Sequence, residues 1–256
     1  MGKKSGGGTV DHYREFVKTF DGFRYKHDIY NVFRDFCELC AISISNAVLP
    51  DAKREGHYLD IVKRYDAEST ALFPKLLAEL TLAMEVSLDD HLGKAFNELE
   101  QSNKDRGQFF TPYSISRLMA DLTVDTSLQK RIKQQGFVTV GEPACGSGGM
   151  IIALCHAMMD KGINYQQAMH VTAWDVDPRA AHMTYVQLAL VHCPAIIVQG
   201  NTLTQEVKDV WRTPAHVMGF WDHKLKRVAA QKSVRRKLRL KKQTATKKRL
   251  ALVSNK

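Results

Sequence analysis

A glycine-rich turn between a predicted strand and a predicted helix carries the clearest chemistry in this 256-residue sequence. The segment VTVGEPACGSGGM, residues 138–150, begins with β-branched residues and continues into a helix-forming run. Such a turn presents backbone N–H groups at a helix N-terminus, and Gly146, Gly148 and Gly149 leave room for a ligand. The glycines lack the G-x-G-x-x-G spacing, which disfavours a nicotinamide or flavin dinucleotide.

Two later predicted strands also end in polar residues. Asp175 follows the strand HVTAW, and Asn201 follows the strand that begins AIIV. The carboxyl ends of parallel strands meet at one edge of a sheet, so these side chains should face the same crevice as the glycine turn. A carboxylate in the position of Asp175 suits two ribose hydroxyls, and the amide of Asn201 suits an adenine edge.

The remaining pattern indicates which elements position these residues. From residue 136 onward, short β-branched runs alternate with helical runs, which is typical of a parallel sheet in an α/β fold. Residues 28–100 show apolar side chains at three- and four-residue spacing and predict a small helical bundle. We interpret Cys37 and Cys40 as helix-packing residues, because no second pair completes a zinc site. The bundle's aromatic side chains are expected in its core: Tyr30, Phe33, Phe36, Phe73 and Phe96.

The net charge of +10 is distributed unevenly. Residues 221–256 contain fourteen Lys or Arg and one acid, Asp222, whereas the other 220 residues carry a net −3. This density predicts salt-dependent and largely sequence-independent binding to nucleic acid. A solvated tail that docks on an acidic partner is the alternative, and an anionic membrane surface is a weaker one. The candidate phosphate-binding residues are Arg235, Arg236, Lys237, Arg239, Lys241 and Lys242.

Composition narrows the class of protein. The sequence is 44% hydrophobic and 25% charged, as expected for one or two globular domains. No apolar run approaches the roughly 20 residues of a membrane-spanning helix, and Met1–Thr9 resembles no signal peptide. The five cysteines are scattered. We therefore expect a cytoplasmic protein that does not associate with a membrane.

Four motifs occur in order along the sequence: GQFFTP at 107–112, EPACGSGG at 142–149, WDVDP at 174–178 and GNTL at 200–203. Together they resemble the adenine-N6 DNA methyltransferases, in particular modification subunits of type I restriction systems and related phage and plasmid methylases. The resemblance implies a Rossmann-like methyltransferase core that binds S-adenosyl-L-methionine. It covers residues 92–203.

The resemblance also implies roles for individual residues. The FFTP loop, with Phe110, Thr111 and Pro112, would hold the methionine moiety, while Asp175 and its neighbour Val176 would bind the ribose and Asn201 the adenine. Cys145 is expected to be a wall residue, not a nucleophile, and Asp177 a helix cap. The remaining cofactor residues would lie beside the methionine moiety: Glu142, Ala144, Cys145 and Gly146.

The sequence departs from the family at the catalytic motif, Asn or Asp followed by Pro-Pro and an aromatic residue. None of the seven prolines follows Asn or adjoins another proline. The nearest substitute contains Thr213, Pro214 and His216, in which Thr213 would accept a hydrogen bond from the target amine and His216 would stack on the base. The alternative is an ordinary loop before the basic tail.

Length limits the sheet to three or four strands, because only 53 residues follow Leu203. We expect an α/β fold with a reduced parallel sheet, an N-terminal helical bundle and a basic C-terminal helical tail. The predicted divisions are a flexible N-terminus at 1–27, a helical domain at 28–104, the cofactor-binding core at 105–221 and the nucleic-acid-binding tail at 222–256.

These features favour a methyltransferase that modifies adenine N6 in DNA with low sequence specificity. A catalytically inactive relative that binds cofactor and DNA as a regulatory or partner subunit is the alternative. A third hypothesis is that the protein methylates another acceptor, either RNA or a protein amide. The N-terminal helices, the basic tail or a second copy of the chain would cover the edge and the face of the reduced sheet. The expected protein partner is therefore a second copy in a homo-oligomer or a separate subunit.

Overall fold

The computed structural model describes residues 10–100 and 110–230. Besides the elements given below, residues 221–230 are helical. None of the helices in these ranges combines the length and apolar character that crossing a membrane requires. The elements are α1 His12–Thr19, a 3-10 helix Phe20–Phe23, α2 Ile29–Asn46, α3 Ala52–Val62, α4 Ala67–Val86, α5 His91–Glu100, α6 Tyr113–Thr123, α7 Thr126–Gln135, β1 Val138–Glu142, α8 Gly149–Asp160, α9 Tyr165–Ala168, β2 Met169–Asp175, α10 Pro178–Leu190, β3 Ala195–Asn201, β4 Glu206–Arg212 and α11 Pro214–Met218.

Aspartates define where many of these helices begin. The carboxylate of Asp177, for example, accepts a hydrogen bond from the Arg179 N–H at 2.9 Å and caps α10. This bond satisfies one of the amide groups that the first helical turn leaves without a partner. The same arrangement starts five further helices, at Asp11, Asp28, Asp51, Asp66 and Asp125.

The sheet has four strands in the order β1-β2-β3-β4. The pairs β1–β2 and β2–β3 are parallel, which confirms an α/β fold with a small sheet. The fourth strand is antiparallel to β3, so the reduced parallel sheet extends over β1–β3 only. The reason is the short connection between Asn201 and Glu206. A parallel return needs a crossover of about a dozen residues or more, whereas a tight turn permits only the antiparallel one.

The helical region and the sheet share one hydrophobic core. Helix α10 packs against β2 and β3 on one side and against α2 on the other. Arg54 of α3 adds a polar connection: its guanidinium lies 3.7 Å from the Trp211 ring centroid and donates to Asp209 Oδ1 at 2.8 Å. The boundary between the two regions remains a prediction, but they are not packed as separate units.

Residues 12–23 differ from the expectation of a flexible N-terminus. They form α1 and the following 3-10 helix, and Phe16, Phe20 and Phe23 are completely buried. Spacing of four and three residues brings these rings onto one face, where Phe16 and Phe20 pack with Phe36. Cys37 and Cys40 are likewise buried within α2.

The loop with Thr213, Pro214 and His216 lies at the amino end of β3, opposite the end that contains Asp175 and Asn201. Strand β4 runs back along β3, and Arg212 pairs with Ile196. The Thr213 hydroxyl is fully buried, donates to the Cys193 carbonyl at 2.8 Å and accepts from the Ala195 N–H at 2.9 Å. These three residues are therefore structural, and the sequence-based catalytic assignment is corrected, because the hairpin turned their loop away from the crevice.

His216 belongs to a buried pair of imidazoles. Its Nδ1 lies 2.9 Å from His170 Nε2, and the ring of Trp221 packs 5.3 Å from that of His170. Burial, and then the neighbouring His216, lower the pKa of His170 to about 4. Burial also lowers the pKa of His216, although Asp222 Oδ1 at 3.4 Å opposes this. Both rings are therefore neutral near pH 7.

We expect this pair to make stability depend on pH. An unfolded histidine has a pKa of about 6.5, so between about pH 6.5 and pH 4 the unfolded chain binds a proton that folded His170 refuses. The free energy of unfolding should fall as the pH decreases through this window. Urea titrations measure how much unfolding free energy each protein loses between pH 7.5 and pH 5. For His170→Gln this loss should be smaller than for the wild type by about 2 kcal/mol.

The matched control is His223→Gln, which alters an exposed histidine of the adjoining helix. Its pH dependence should equal that of the wild type. Equal pH dependence in His170→Gln and the wild type would contradict the role of the buried pair.

Candidate functional site

A cavity of about 400 Å³ opens at the carboxyl ends of β1 and β2. Its size falls within the usual range for small-molecule sites. The residues around it come from the start of α5, the loop before α6, the first turns of α6 and α8, the β1–α8 turn and the ends of β1 and β2. They are Asp90, Phe110, Thr111, Ser116, Glu142, Ala144, Cys145, Gly146, Ser147, Gly149, Met150 and Asp175.

Three hydrogen bonds fix the turn between β1 and α8. Gly146 N–H donates to Asp175 Oδ2 at 2.8 Å, and Cys145 N–H donates to the Trp174 carbonyl at 2.8 Å. On the other side, the hydroxyl of Thr184 in α10 donates to the Gly146 carbonyl at 2.8 Å. The turn is thereby held between β2 and α10, with its backbone beside the cavity.

Gly146 is required by two features of this turn. Its φ of +54° lies in the left-handed region, which residues other than glycine seldom adopt. A Cβ atom here would also lie 3.0 Å from the Phe110 ring. Phe110 in turn packs edge-on against Phe96 of α5, with centroids 5.1 Å apart. Because Gly146 has no Cβ atom, the ring of Phe110 can pack closely against the turn.

Asp90 approaches the same turn from the helical region. Its carboxylate accepts from the Ser147 hydroxyl, from Gly93 N–H at 2.9 Å and from Gln187 Nε2 at 2.9 Å. The same amide nitrogen of Gln187 also donates to the Ser147 carbonyl at 2.7 Å. Asp90 thus joins α5, the glycine turn and α10 at the wall of the cavity.

The cavity is acidic. Asp90, Glu142 and Asp175 line it, and no Lys or Arg is present among its lining residues in the described ranges. Burial raises the pKa of the Cys145 thiol to about 12, so this group is protonated and poorly nucleophilic at neutral pH. An acidic, water-accessible cavity of this kind favours a cationic ligand.

Seven of the predicted cofactor residues meet at this cavity: Phe110, Thr111, Glu142, Ala144, Cys145, Gly146 and Asp175. Pro112, Val176 and Asn201 are outside its lining. The Asn201 side chain caps the following turn, because its Oδ1 accepts from Leu203 N–H at 2.9 Å and Thr204 N–H at 3.3 Å. Its assigned role at the adenine remains a prediction.

Sequence reasoning placed Gly149 at the ligand-binding turn but missed four other lining residues: Asp90, Ser116, Ser147 and Met150. Asp90 precedes His91, the first residue of α5, and a capping aspartate was readable from the text LDDHLG. Its proximity to Ser147 depends on tertiary packing, which no local pattern encodes. The six predicted phosphate-binding residues at 235–242 lie outside the described residues.

Comparison with solved structures finds partial similarity at low identity. One is a protein assigned as a class I S-adenosylmethionine-dependent methyltransferase from Listeria monocytogenes, with 16% identity, a TM-score of 0.45, and coverage of 78% of this chain and 55% of that one. Another is the methyltransferase subunit of a type I restriction-modification system from Streptococcus thermophilus, with 14% identity, a TM-score of 0.40, and coverage of 76% and 59%.

A third is assigned as a modification subunit of a type I restriction enzyme from Vibrio vulnificus, with 12% identity, a TM-score of 0.45, and coverage of 76% and 56%. The aligned part of this chain therefore spans little more than half of each structure's length. Comparison with curated proteins gives no match.

The family model described as N-6 DNA Methylase matches residues 89–250, well over half of the sequence. The match begins immediately before Asp90 and includes every described residue that lines the cavity. The chain belongs to the N-6 DNA methylase family.

Proposed function

We propose that this protein binds S-adenosyl-L-methionine in the acidic cavity and transfers its methyl group to adenine N6 in DNA. The observation that carries the proposal is the bond from Gly146 N–H to Asp175 Oδ2, which places a strand-end carboxylate against a glycine turn. This is the arrangement in which α/β folds bind the ribose of a nucleoside. The match to the N-6 DNA methylase family supports the same ligand.

The residues present fit this cofactor. The left-handed Gly146 leaves open a space that a Cβ would fill beside Phe110. Asp175 Oδ1 and Oδ2 each accept one backbone N–H, from Asp177 and Gly146, and each retains a further acceptor position for a hydroxyl. S-adenosylmethionine carries positive charge on its sulfonium and α-ammonium groups, which suits three carboxylates in the lining.

The chain's own residues then act by binding and orientation. When bound, the cofactor supplies an electrophilic methyl group. Asp175 would bind the ribose, and Phe110 would close the cavity from the helical side.

A second candidate is a relative that binds the cofactor without transferring its methyl group. The absence of Asn or Asp followed by Pro-Pro favours it, because this motif supplies the acceptors for the target amine in the family. Thr213 and His216 do not replace them, since they are buried at the other end of the sheet. Transfer must therefore be measured separately from binding.

We expect Asp175→Ala to weaken S-adenosylmethionine binding by about tenfold or more, because both ribose hydroxyls lose a charged acceptor. Isothermal titration of the purified protein measures this loss. Asp60→Ala is the control, since Asp60 is an exposed residue of α3 far from the cavity in sequence and pairs with Lys63. If the wild-type protein binds no S-adenosylmethionine, the proposed function is wrong.

Transfer is followed with methyl-labelled cofactor and unmethylated DNA. Labelled N6-methyladenine in the digested DNA supports the enzyme, and labelled RNA or protein would point to another acceptor. Tight cofactor binding with no labelled product identifies the binding-only relative.

The basic segment yields a separate prediction. Replacement of the six residues at 235–242 by Gln in the full chain should weaken DNA binding and flatten its dependence on salt, because fewer counterions are released. Fluorescence anisotropy between 50 and 200 mM salt, roughly the range over which such contacts respond, measures both effects. Unchanged binding would place the DNA surface elsewhere, and cofactor affinity should not change.

A further inference from the structure

Asp90 is a buried carboxylate whose hydrogen-bond partners carry no positive charge. It is 3% exposed, and its partners in the described residues are the Ser147 hydroxyl, the Gln187 amide and the Gly93 N–H. Burial raises the pKa of this carboxyl group. A buried ionised group without a counter-ion is costly, and such groups are usually paired with a charge of opposite sign.

The carboxylate retains acceptor capacity toward the cavity. Its two oxygens offer about four acceptor positions. Gly93 and Gln187 donate to Oδ1, and Ser147 alone donates to Oδ2. Asp90 also lines the cavity, so its side chain borders the space that a ligand would occupy.

The location of Asp90 indicates which part of a ligand it would meet. Asp175 contacts the turn at Gly146 from the β2 side, where a nucleoside would bind. Asp90 contacts the next residue, Ser147, from the opposite, helical side. A ligand with its ribose at Asp175 would reach Asp90 with its other end if it followed the turn from Gly146 to Ser147. In S-adenosylmethionine that end is an α-amino acid.

The packing around Asp90 keeps its orientation fixed. A Cβ on Gly93 would collide with Asp90 Oδ2 and would lie 2.7 Å from Ser147 Oγ. The carboxylate also caps α5, because it accepts the N–H of the third residue of that helix. A preorganised acceptor of this kind loses little entropy when it binds a donor.

We propose that Asp90 recognises the α-ammonium group of the amino-acid end of the cofactor and selects for ligands that carry it. The inference rests on the proposed function, since it takes S-adenosylmethionine as the ligand. Asp90 would act as a binding and specificity-determining residue. Glu142 is the competing acid, because it also lines the cavity.

The test is a thermodynamic cycle in which the α-ammonium group of the ligand and the carboxylate of Asp90 are removed separately and together. Two ligands are compared by isothermal titration: S-adenosylhomocysteine and its analogue in which hydrogen replaces the α-ammonium group. The wild-type protein should prefer S-adenosylhomocysteine by about tenfold, the magnitude typical of a charge-assisted hydrogen bond. In Asp90→Asn the preference should disappear, while affinity for the deaminated analogue changes by less than about twofold.

Asp90→Asn keeps the shape of the side chain, and its oxygen can still accept from Gly93 and Gln187. Asp90→Ser is the second variant, because serine also caps a helix and removes the charge, so the test remains open if one variant does not fold. Asp89→Asn is the matched control, since the neighbouring Asp89 pairs with Lys94 and is absent from the lining. It should retain the full preference.

The outcomes separate this inference from the proposed function. If the wild type binds neither ligand nor S-adenosylmethionine, the proposed function fails. If it binds them and both Asp90 variants retain the preference, the role of Asp90 is wrong. Loss of the preference in Glu142→Gln alone would assign the ammonium to Glu142. An equal loss of affinity for both ligands in the Asp90 variants would show that Asp90 only supports the turn.

Discussion

Two carboxylates hold the turn between β1 and α8, one from each side of the protein. Asp175 binds Gly146 from the end of β2, and Asp90 binds Ser147 from the start of α5. The turn is a short stretch of irregular backbone beside a cavity, so its N–H groups must be held in place by other elements. The helical region is therefore a part of the cavity wall, and its core is continuous with that of the sheet.

The antiparallel return of β4 determines what the rest of the described chain can reach. Because β4 ends beside the amino end of β3, everything from Thr213 to residue 230 begins at the far end of the sheet from the cavity. Thr213 anchors this reversal through its bonds to Cys193 and Ala195. Within the described ranges, β1 has a strand neighbour on one side only.

The sequence predicted those features of the site that depend on residues close together along the chain. The β1–α8 turn and the carboxylate after β2 were readable, because a strand, glycines and a helix in immediate succession have few other conformations. The direction of β4 was not readable from its composition. It follows from the four residues that separate it from β3, and the catalytic assignment of Thr213, Pro214 and His216 failed for that reason. The buried face of α1 and the following 3-10 helix was missed because Gly and charged residues surround Phe16, Phe20 and Phe23.

Charge is divided between the parts of this protein in a way that suits two ligands of opposite sign. The cavity presents carboxylates, and residues outside the C-terminal segment carry a net negative charge. Such a field attracts a cationic cofactor but repels the phosphates of a nucleic acid. For the proposed substrate, attraction must then come from the fourteen basic residues of 221–256, which outnumber the single acid there. Because counterion release is independent of base sequence, this segment would supply affinity without selectivity, and any preference for adenine would have to arise at the cavity itself.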